Sequence, residues 1–157
     1  MSNFGEIDGV KIKKIVVHTD DRGNFMEVLR SDENLLEQFG QAALSTTLPG
    51  IIKAFHWHNR QDDLWYCLSG NAQVVLYDRR KDSKTYDKTQ VVYMGENSEK
   101  KLLIIPKGVA HGYRVLGNTP LTMLYFLTEP YNPKNPDEER IPFDDKEIGF
   151  DWTTKNK

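Results

Sequence analysis

Short runs rich in Val, Ile, Leu and Tyr recur along the chain at residues 14–18, 25–29, 64–68, 72–77, 90–94, 101–105 and 121–127, with clusters of Gly, Asn, Asp and Pro between them. Branched and aromatic side chains suit a pleated, half-buried surface, so each run predicts a β-strand. Ser69-Gly70-Asn71 joins two of these runs as a hairpin would. The polar stretches 78–84 and 95–99 read as connections. Only Ser31-Asp-Glu-Asn-Leu-Leu-Glu-Gln-Phe-Gly40 predicts a helix, with Ser31 as N-cap, acids in the first turn and Gly40 at the left-handed end. Many short strands without alternating helices predict an all-β fold, an antiparallel β-barrel or jelly roll with one short helix. With no internal repeat or linker, residues 1–157 read as a single domain whose core runs from about 10 to 152.

Composition narrows the function classes. Lys and Arg total 21 and Asp and Glu total 23, a net charge of −2. That balance supplies no electrostatic reason to bind nucleic acid or an anionic membrane, so neither partner is expected. No window approaches 18 continuous apolar residues, and residues 1–8 lack the basic-then-apolar layout of a signal peptide. The expected location is cytoplasmic. The single cysteine, Cys67, lies in an apolar run and reads as a buried structural thiol.

Candidate chemistry concentrates in two places. Gly50-x5-His56-x-His58-x4-Asp63-x6-Gly70 is echoed by Pro106-x-Gly108-x2-His111. Residues i and i+2 of a strand share a face, so His56 and His58 can both point into a barrel and His111 can join them from a facing strand. The pattern resembles the two motifs of the cupin superfamily, with Asp where Glu is usual, and implies a cupin-type barrel. Three imidazoles and a carboxylate would suit a first-row transition metal. Equally, one histidine could move a proton.

The second constellation is Tyr125-Phe-Leu-Thr-Glu-Pro-Tyr131-Asn-Pro133, followed by the closing Asp144-Asp145-Lys-Glu-Ile-Gly-Phe-Asp-Trp152. Taken with Asp21-Arg22-Gly23-Asn-Phe25-Met-Glu27, Tyr77-Asp-Arg-Arg80 and Ile105-Pro-Lys-Gly-Val-Ala-His-Gly112, it resembles the dTDP-4-dehydrorhamnose 3,5-epimerase family. These elements occur in family order over roughly residues 20–152. The resemblance implies a cofactor-free isomerase that inverts C3 and/or C5 of a nucleotide-linked 4-keto-6-deoxy sugar, in deoxysugar and surface-polysaccharide biosynthesis, working as a homodimer.

Residue by residue, the resemblance makes His56 the base and Tyr125 the acid. Asp145 is the carboxylate that orients His56, with Asp144 one residue away as the alternative. Arg22, Phe25 and Glu27 match a nucleotide-binding element that in the family reaches across a dimer. Gln41, Lys53, His111 and Tyr131 match positions around the pyrophosphate and sugar. The chain also departs from the family. Where Arg-Gly-Leu-His-Tyr-Gln is usual it reads Lys53-Ala-Phe-His-Trp-His58, Asp63 stands at a usual lysine, and Ala43 at a usual asparagine. Lysine keeps arginine's charge but not its bidentate fork. His58 and Asp63 thereby restore the rival reading, a metal-dependent oxygenase or isomerase using His56, His58, Asp63 and His111.

Overall fold

A computed structural model describes residues 3–153, so Lys155–Lys157, expected from the sequence to fray, lie outside the described residues. Among the described residues thirteen strands follow one another: β1 (Asn3–Phe4), β2 (Lys11–Lys14), β3 (Val17–Asp20), β4 (Gly23–Met26), β5 (Gln41–Thr47), β6 (Ile52–Trp57), β7 (Asp63–Ser69), β8 (Asn71–Asp78), β9 (Lys88–Gly95), β10 (Lys101–Ile105), β11 (Val109–Leu116), β12 (Leu121–Leu127) and β13 (Glu139–Arg140). A six-stranded sheet in the order β1-β9-β8-β11-β6-β13 faces a five-stranded sheet in the order β2-β10-β7-β12-β5, and β3 and β4 form a separate hairpin. Apart from the short parallel pair β1–β9, every pairing is antiparallel. This is the jelly-roll architecture anticipated for a cupin-type chain.

Alternation places the core. Trp65, Cys67, Val74, Leu76, Val92, Met94, Leu103, Tyr113, Val115, Leu121 and Met123 point between the two sheets. The outer face of the smaller sheet is also covered, because Met26, Val28, Leu29, Leu35 and Leu36 pack over Leu64, Tyr66, Leu102 and Ile104. On the larger sheet, Ile148 and Trp152 of the closing segment pack with Phe55, Val75, Tyr77 and Ala110. Burial on both faces explains why β7 and β8 read as unbroken apolar runs rather than alternating ones.

The helix expected over residues 31–40 shrinks to a single 3₁₀ turn, Ser31–Glu33. Asn34 adopts a left-handed conformation (φ 52°), which stops the turn and sends Leu35 and Leu36 down onto β7 and β10. Gly40 serves close packing instead of a helix end, since a Cβ there would lie 2.3 Å from the Glu129 carbonyl carbon. The strand expected at 14–18 falls across the break between β2 and β3, and the one expected at 25–29 ends at Met26. β6 and β11 are the strand of His56 and the facing strand of His111 that the histidine spacing called for, whereas β5, which also shapes the site, was not among the expected strands. Cys67 is buried, and burial pushes its thiol up to about 11, as an inert structural cysteine requires. No helix among the described residues is long and apolar enough to cross a membrane.

Candidate active site

The two sheets part at one end around a cavity of about 480 Å³. The larger sheet brings Lys53 and His56 on β6, with His58 just beyond its end, and Tyr113 on β11. The smaller brings Gln41 and Ser45 on β5, Asp63 on β7, and Tyr125 and Leu127 on β12. Glu129, Tyr131, Asn135 and Asp137 close the rim.

His56 lies opposite His111 in the β6–β11 ladder, and their ring centroids are 4.3 Å apart. The ladder slips by one residue between His111 and Tyr113. Gly112 sits in that slip, where a Cβ would fall 2.3 Å from the Ala54 Cβ and 2.7 Å from the Lys53 carbonyl oxygen. Only glycine permits the strands to approach this closely. The slip keeps both His111 and Tyr113 buried while presenting His56 to the cavity.

Behind His56 the groups are tied down individually. His111 donates Nδ1–H to the Val109 carbonyl at 2.9 Å, and His58 donates Nδ1–H to the Asp137 carbonyl. A carbonyl oxygen only accepts, so in both rings the neutral form leaves the Nε2 lone pair facing inward. Asp137 also accepts from the backbone N–H groups of Asn59, Arg60 and Gln61 at 2.8–3.0 Å, so one residue holds both the turn after β6 and the His58 ring. Asp63 accepts from Gln61 Nε2 at 2.7 Å and from Trp65 Nε1 at 3.1 Å. Its two oxygens stand 3.6 Å from His58 Nε2 and 3.6 Å from His111 Nε2. Burial works against the Asp63 charge, but His111, His58 and Gln61 outweigh it and hold the carboxyl below its ordinary range. Burial, and next the neighbouring His111, hold the His56 imidazole well below its usual value, so it is neutral and able to accept a proton at pH 7.

Tyr125 reaches the cavity from the opposite sheet. Its hydroxyl is 2.7 Å from Ser45 Oγ and 3.3 Å from the Tyr113 hydroxyl, which in turn lies 2.9 Å from Thr47 Oγ1. Burial first, then Tyr113, raises its pKa, so the phenol keeps its proton. The fully buried Trp65 packs against both groups, its ring centroid 6.3 Å from that of His56 and 5.4 Å from that of Tyr125. A neutral base on one sheet and a protonated phenol on the other face a shared space, the arrangement that proton removal on one side and return on the other requires.

Gln41, Lys53 and Tyr131 line this cavity, as the sequence led us to expect, and Gln41 Oε1 accepts from the Tyr131 backbone N–H at 2.7 Å. Asp145 is placed elsewhere. Its carboxylate closes a turn by accepting from the backbone N–H groups of Glu147 and Ile148, which directs Ile148 into the outer packing cluster. Exposed Asp144 does not line the cavity either. The carboxylate beside the imidazoles is Asp63. Arg22 and Phe25 are exposed on the β3–β4 hairpin, around a separate shallow depression, and Glu27 pairs with Arg30. Ser45, Gln61, Trp65, Tyr113 and Asp137 were not anticipated. Tyr113 could have been, since it lies two residues beyond His111 on the same strand face.

Comparison with known proteins adds an independent line. A sequence model of the family described as dTDP-4-dehydrorhamnose 3,5-epimerase matches residues 5–157. The spore coat polysaccharide biosynthesis protein SpsL of Bacillus subtilis is 64% identical over 149 residues, which cover 95% of this chain and 98% of that protein. The dTDP-4-dehydrorhamnose 3,5-epimerase of Methanothermobacter thermautotrophicus is 34% identical over 152 residues, 93% of this chain and 80% of that protein. Among solved structures, a dTDP sugar isomerase from Desulfovibrio desulfuricans superposes with a TM-score of 0.85 at 29% identity, covering 93% of this chain and 92% of that one. The dTDP-6-deoxy-D-glucose-3,5-epimerase of Legionella pneumophila, solved in complex with dTDP-4-keto-L-rhamnose, gives 0.82 at 29% identity, covering 96% and 81%.

Proposed function

The chain belongs to the dTDP-4-dehydrorhamnose 3,5-epimerase family, and we propose that it inverts C3 and/or C5 of a nucleotide-linked 4-keto-6-deoxy sugar, with dTDP as the nucleotide, for surface-polysaccharide biosynthesis. It is an isomerase, and the reaction needs no redox step. A hydrogen on carbon beside a ketone is acidic because the anion left behind spreads onto the carbonyl oxygen. In this reading His56 takes that proton from one face, and Tyr125 returns one to the other. Each positioned group contributes roughly 10²–10⁴-fold. Lys53 at the cavity wall supplies positive charge for the developing enolate. The observation that carries the reading is the neutral His56 and the protonated Tyr125 facing one cavity from opposite sheets. The family comparisons favour it over a metal-dependent oxygenase or isomerase.

The working unit in this reading is a cytoplasmic, single-domain homodimer. Arg22, Phe25 and Glu27 sit on or just beyond a hairpin apart from their own chain's cavity, as expected if they serve the nucleotide of a second copy. Exposed Leu44 and Leu48, on and just after edge strand β5, offer apolar surface for that copy. Incubation with a dTDP-4-keto-6-deoxy sugar in D₂O tests the chemistry by NMR. Deuterium entering at C3 or C5 is expected, and a protein that introduces none into the nucleotide sugars offered does not carry out this reaction.

A further inference from the structure

Catalysis by His56 and Tyr125 gives no role to His58 or Asp63, two buried residues at the floor of the site. We propose that His56, His58, Asp63 and His111 bind one first-row divalent transition-metal ion, and that the ion, when bound, occupies the lone pair with which His56 would accept the substrate proton. The second half rests on the function proposed above. The first half stands on geometry alone.

One donor atom from each of the four residues lies within 4.8 Å of every other. Ligand bonds of about 2.0–2.2 Å put neighbouring donors of a tetrahedral ion roughly 3.4 Å apart. Asp63 already stands 3.6 Å from both His58 Nε2 and His111 Nε2, too far for hydrogen bonds and close to the spacing of two ligands on one ion. His111 Nε2 is buried and makes no hydrogen bond, although its ring is locked from the other side by the Val109 carbonyl. His58 is locked likewise by the Asp137 carbonyl. Two inward lone pairs facing a buried carboxylate repel one another unless a proton or a metal cation lies among them.

The surroundings are those of a held ligand set. A metal-binding histidine donates its other N–H to a carbonyl or carboxylate, and a metal-binding carboxylate is itself hydrogen-bonded. Both conditions are met, the second by Gln61 and Trp65. Three imidazoles and one carboxylate favour ions such as zinc, nickel or iron(II) over magnesium or calcium, which prefer oxygen ligands throughout. The ring of His56 lies 4.3 Å from His111 and 5.6 Å from His58, so it completes the set from the cavity side.

Cobalt(II) is a suitable probe because its ligand-field absorption reports nitrogen and oxygen coordination directly. Protein stripped with a chelator is titrated with cobalt(II). One equivalent should bind with visible bands, zinc should displace it, and a large excess of magnesium should not. His58→Gln and Asp63→Asn should lose the bands, and Gln61→Ala should weaken binding by roughly 10–100-fold. If either ligand variant fails to fold, the wild-type melting curve decides, since an ion that binds only the folded state raises Tm with concentration. Absence of a one-equivalent spectrum and of any Tm rise overturns the site, and so does binding that survives both His58→Gln and Asp63→Asn.

Deuterium exchange is then measured on stripped and cobalt-loaded protein. Exchange that falls on loading and returns on chelation supports the ligand role of His56, whereas exchange unchanged by loading overturns it. A stripped protein that exchanges nothing would sink the epimerase chemistry but leave the cobalt spectrum to decide the metal site.

Discussion

Replacing Tyr113 with phenylalanine removes one oxygen from the chain of hydroxyls that supports Tyr125. The side chain is 1% exposed, and its hydroxyl sits 2.9 Å from Thr47 Oγ1 and 3.3 Å from the Tyr125 hydroxyl. Thr47 is itself 3% exposed, so water cannot take over as its partner. Stranding a buried polar group costs about 1–3 kcal/mol. For a chain of 157 residues, each kcal/mol moves Tm by about 2–4 °C, so the variant should melt roughly 2–12 °C lower. Adding Thr47→Val removes the stranded hydroxyl as well and should recover most of that loss, because deleting both partners of a hydrogen bond is nearly neutral.

The same substitution reaches the chemistry. Tyr125 keeps Ser45 at 2.7 Å but loses its second hydroxyl contact. One hydrogen bond of about 0.5–1.5 kcal/mol corresponds to a fall of roughly 2- to 12-fold in kcat for inversion. Deuterium uptake through His56 should persist, since the base itself is not altered. Thermal denaturation and NMR of the product sugar read out the two effects. A Tm within about 1 °C of wild type, with Thr47→Val adding its full separate cost, would show that the hydroxyl chain does not exist.

Tyr125→Phe should retain deuterium exchange at the sugar carbon and lose most of the inversion, which NMR in D₂O separates. The depressed pKa of His56 sets two pH effects: exchange should stay at full rate at pH 6, because the folded imidazole is still neutral there. Its unfolded counterpart binds a proton near pH 6.5 and the folded one does not, so this group's contribution to stability declines as pH falls below about 6.5, which denaturant titrations at several pH values can follow. Burial raises the Asp78 carboxyl, but hydrogen bonds from Arg80, Ser83 and Thr85 outweigh it and hold it at about 2. Depressed from 3.8, it contributes about 2 kcal/mol above pH 4, lost between pH 4 and 2, and Asp78→Asn should flatten that part of an acid-unfolding curve. Gly112→Ala should cost about 1–3 kcal/mol and slow exchange, because the new methyl group drives β6 from β11 and His56 with it.

Strands β7, β8, β9, β10 and β12 were legible because tertiary burial and local propensity agree there, with branched and aromatic residues packed on one or both faces. β5 was not. Gln41-Ala-Ala-Leu-Ser-Thr-Thr47 is built from small and polar residues, and it is a strand only because β12 pairs along its whole length. The segment from Ser31 carried helix-start signals that the packing of Leu35 and Leu36 overrode. Among site residues, the i, i+2 spacing of His56 and His58 foretold that they would meet, and His111 joined through the opposing strand. The acid failed for a local reason. Asp145 is followed by two backbone N–H groups within reach of its side chain, and an aspartate so placed makes a turn in preference to travelling to a distant imidazole.

The exchange of Asp145 for Asp63 changes what the site can do. A carboxylate from the closing segment would be free to bind one histidine and support its charge as the proton arrives. Asp63 is fixed by Gln61 and Trp65, and it faces the Nε2 atoms of His58 and His111. Its negative charge favours a proton on His56, whereas burial and the two neighbouring imidazoles oppose one. The balance lies with the neutral ring, which suits a base in the proposed reaction and would make the imidazolium a transient species. It also leaves the lone pair of His56 available to a metal ion. In this chain one set of four side chains therefore chooses between a proton and a cation, and His58 and Asp63 are what put the second option within reach.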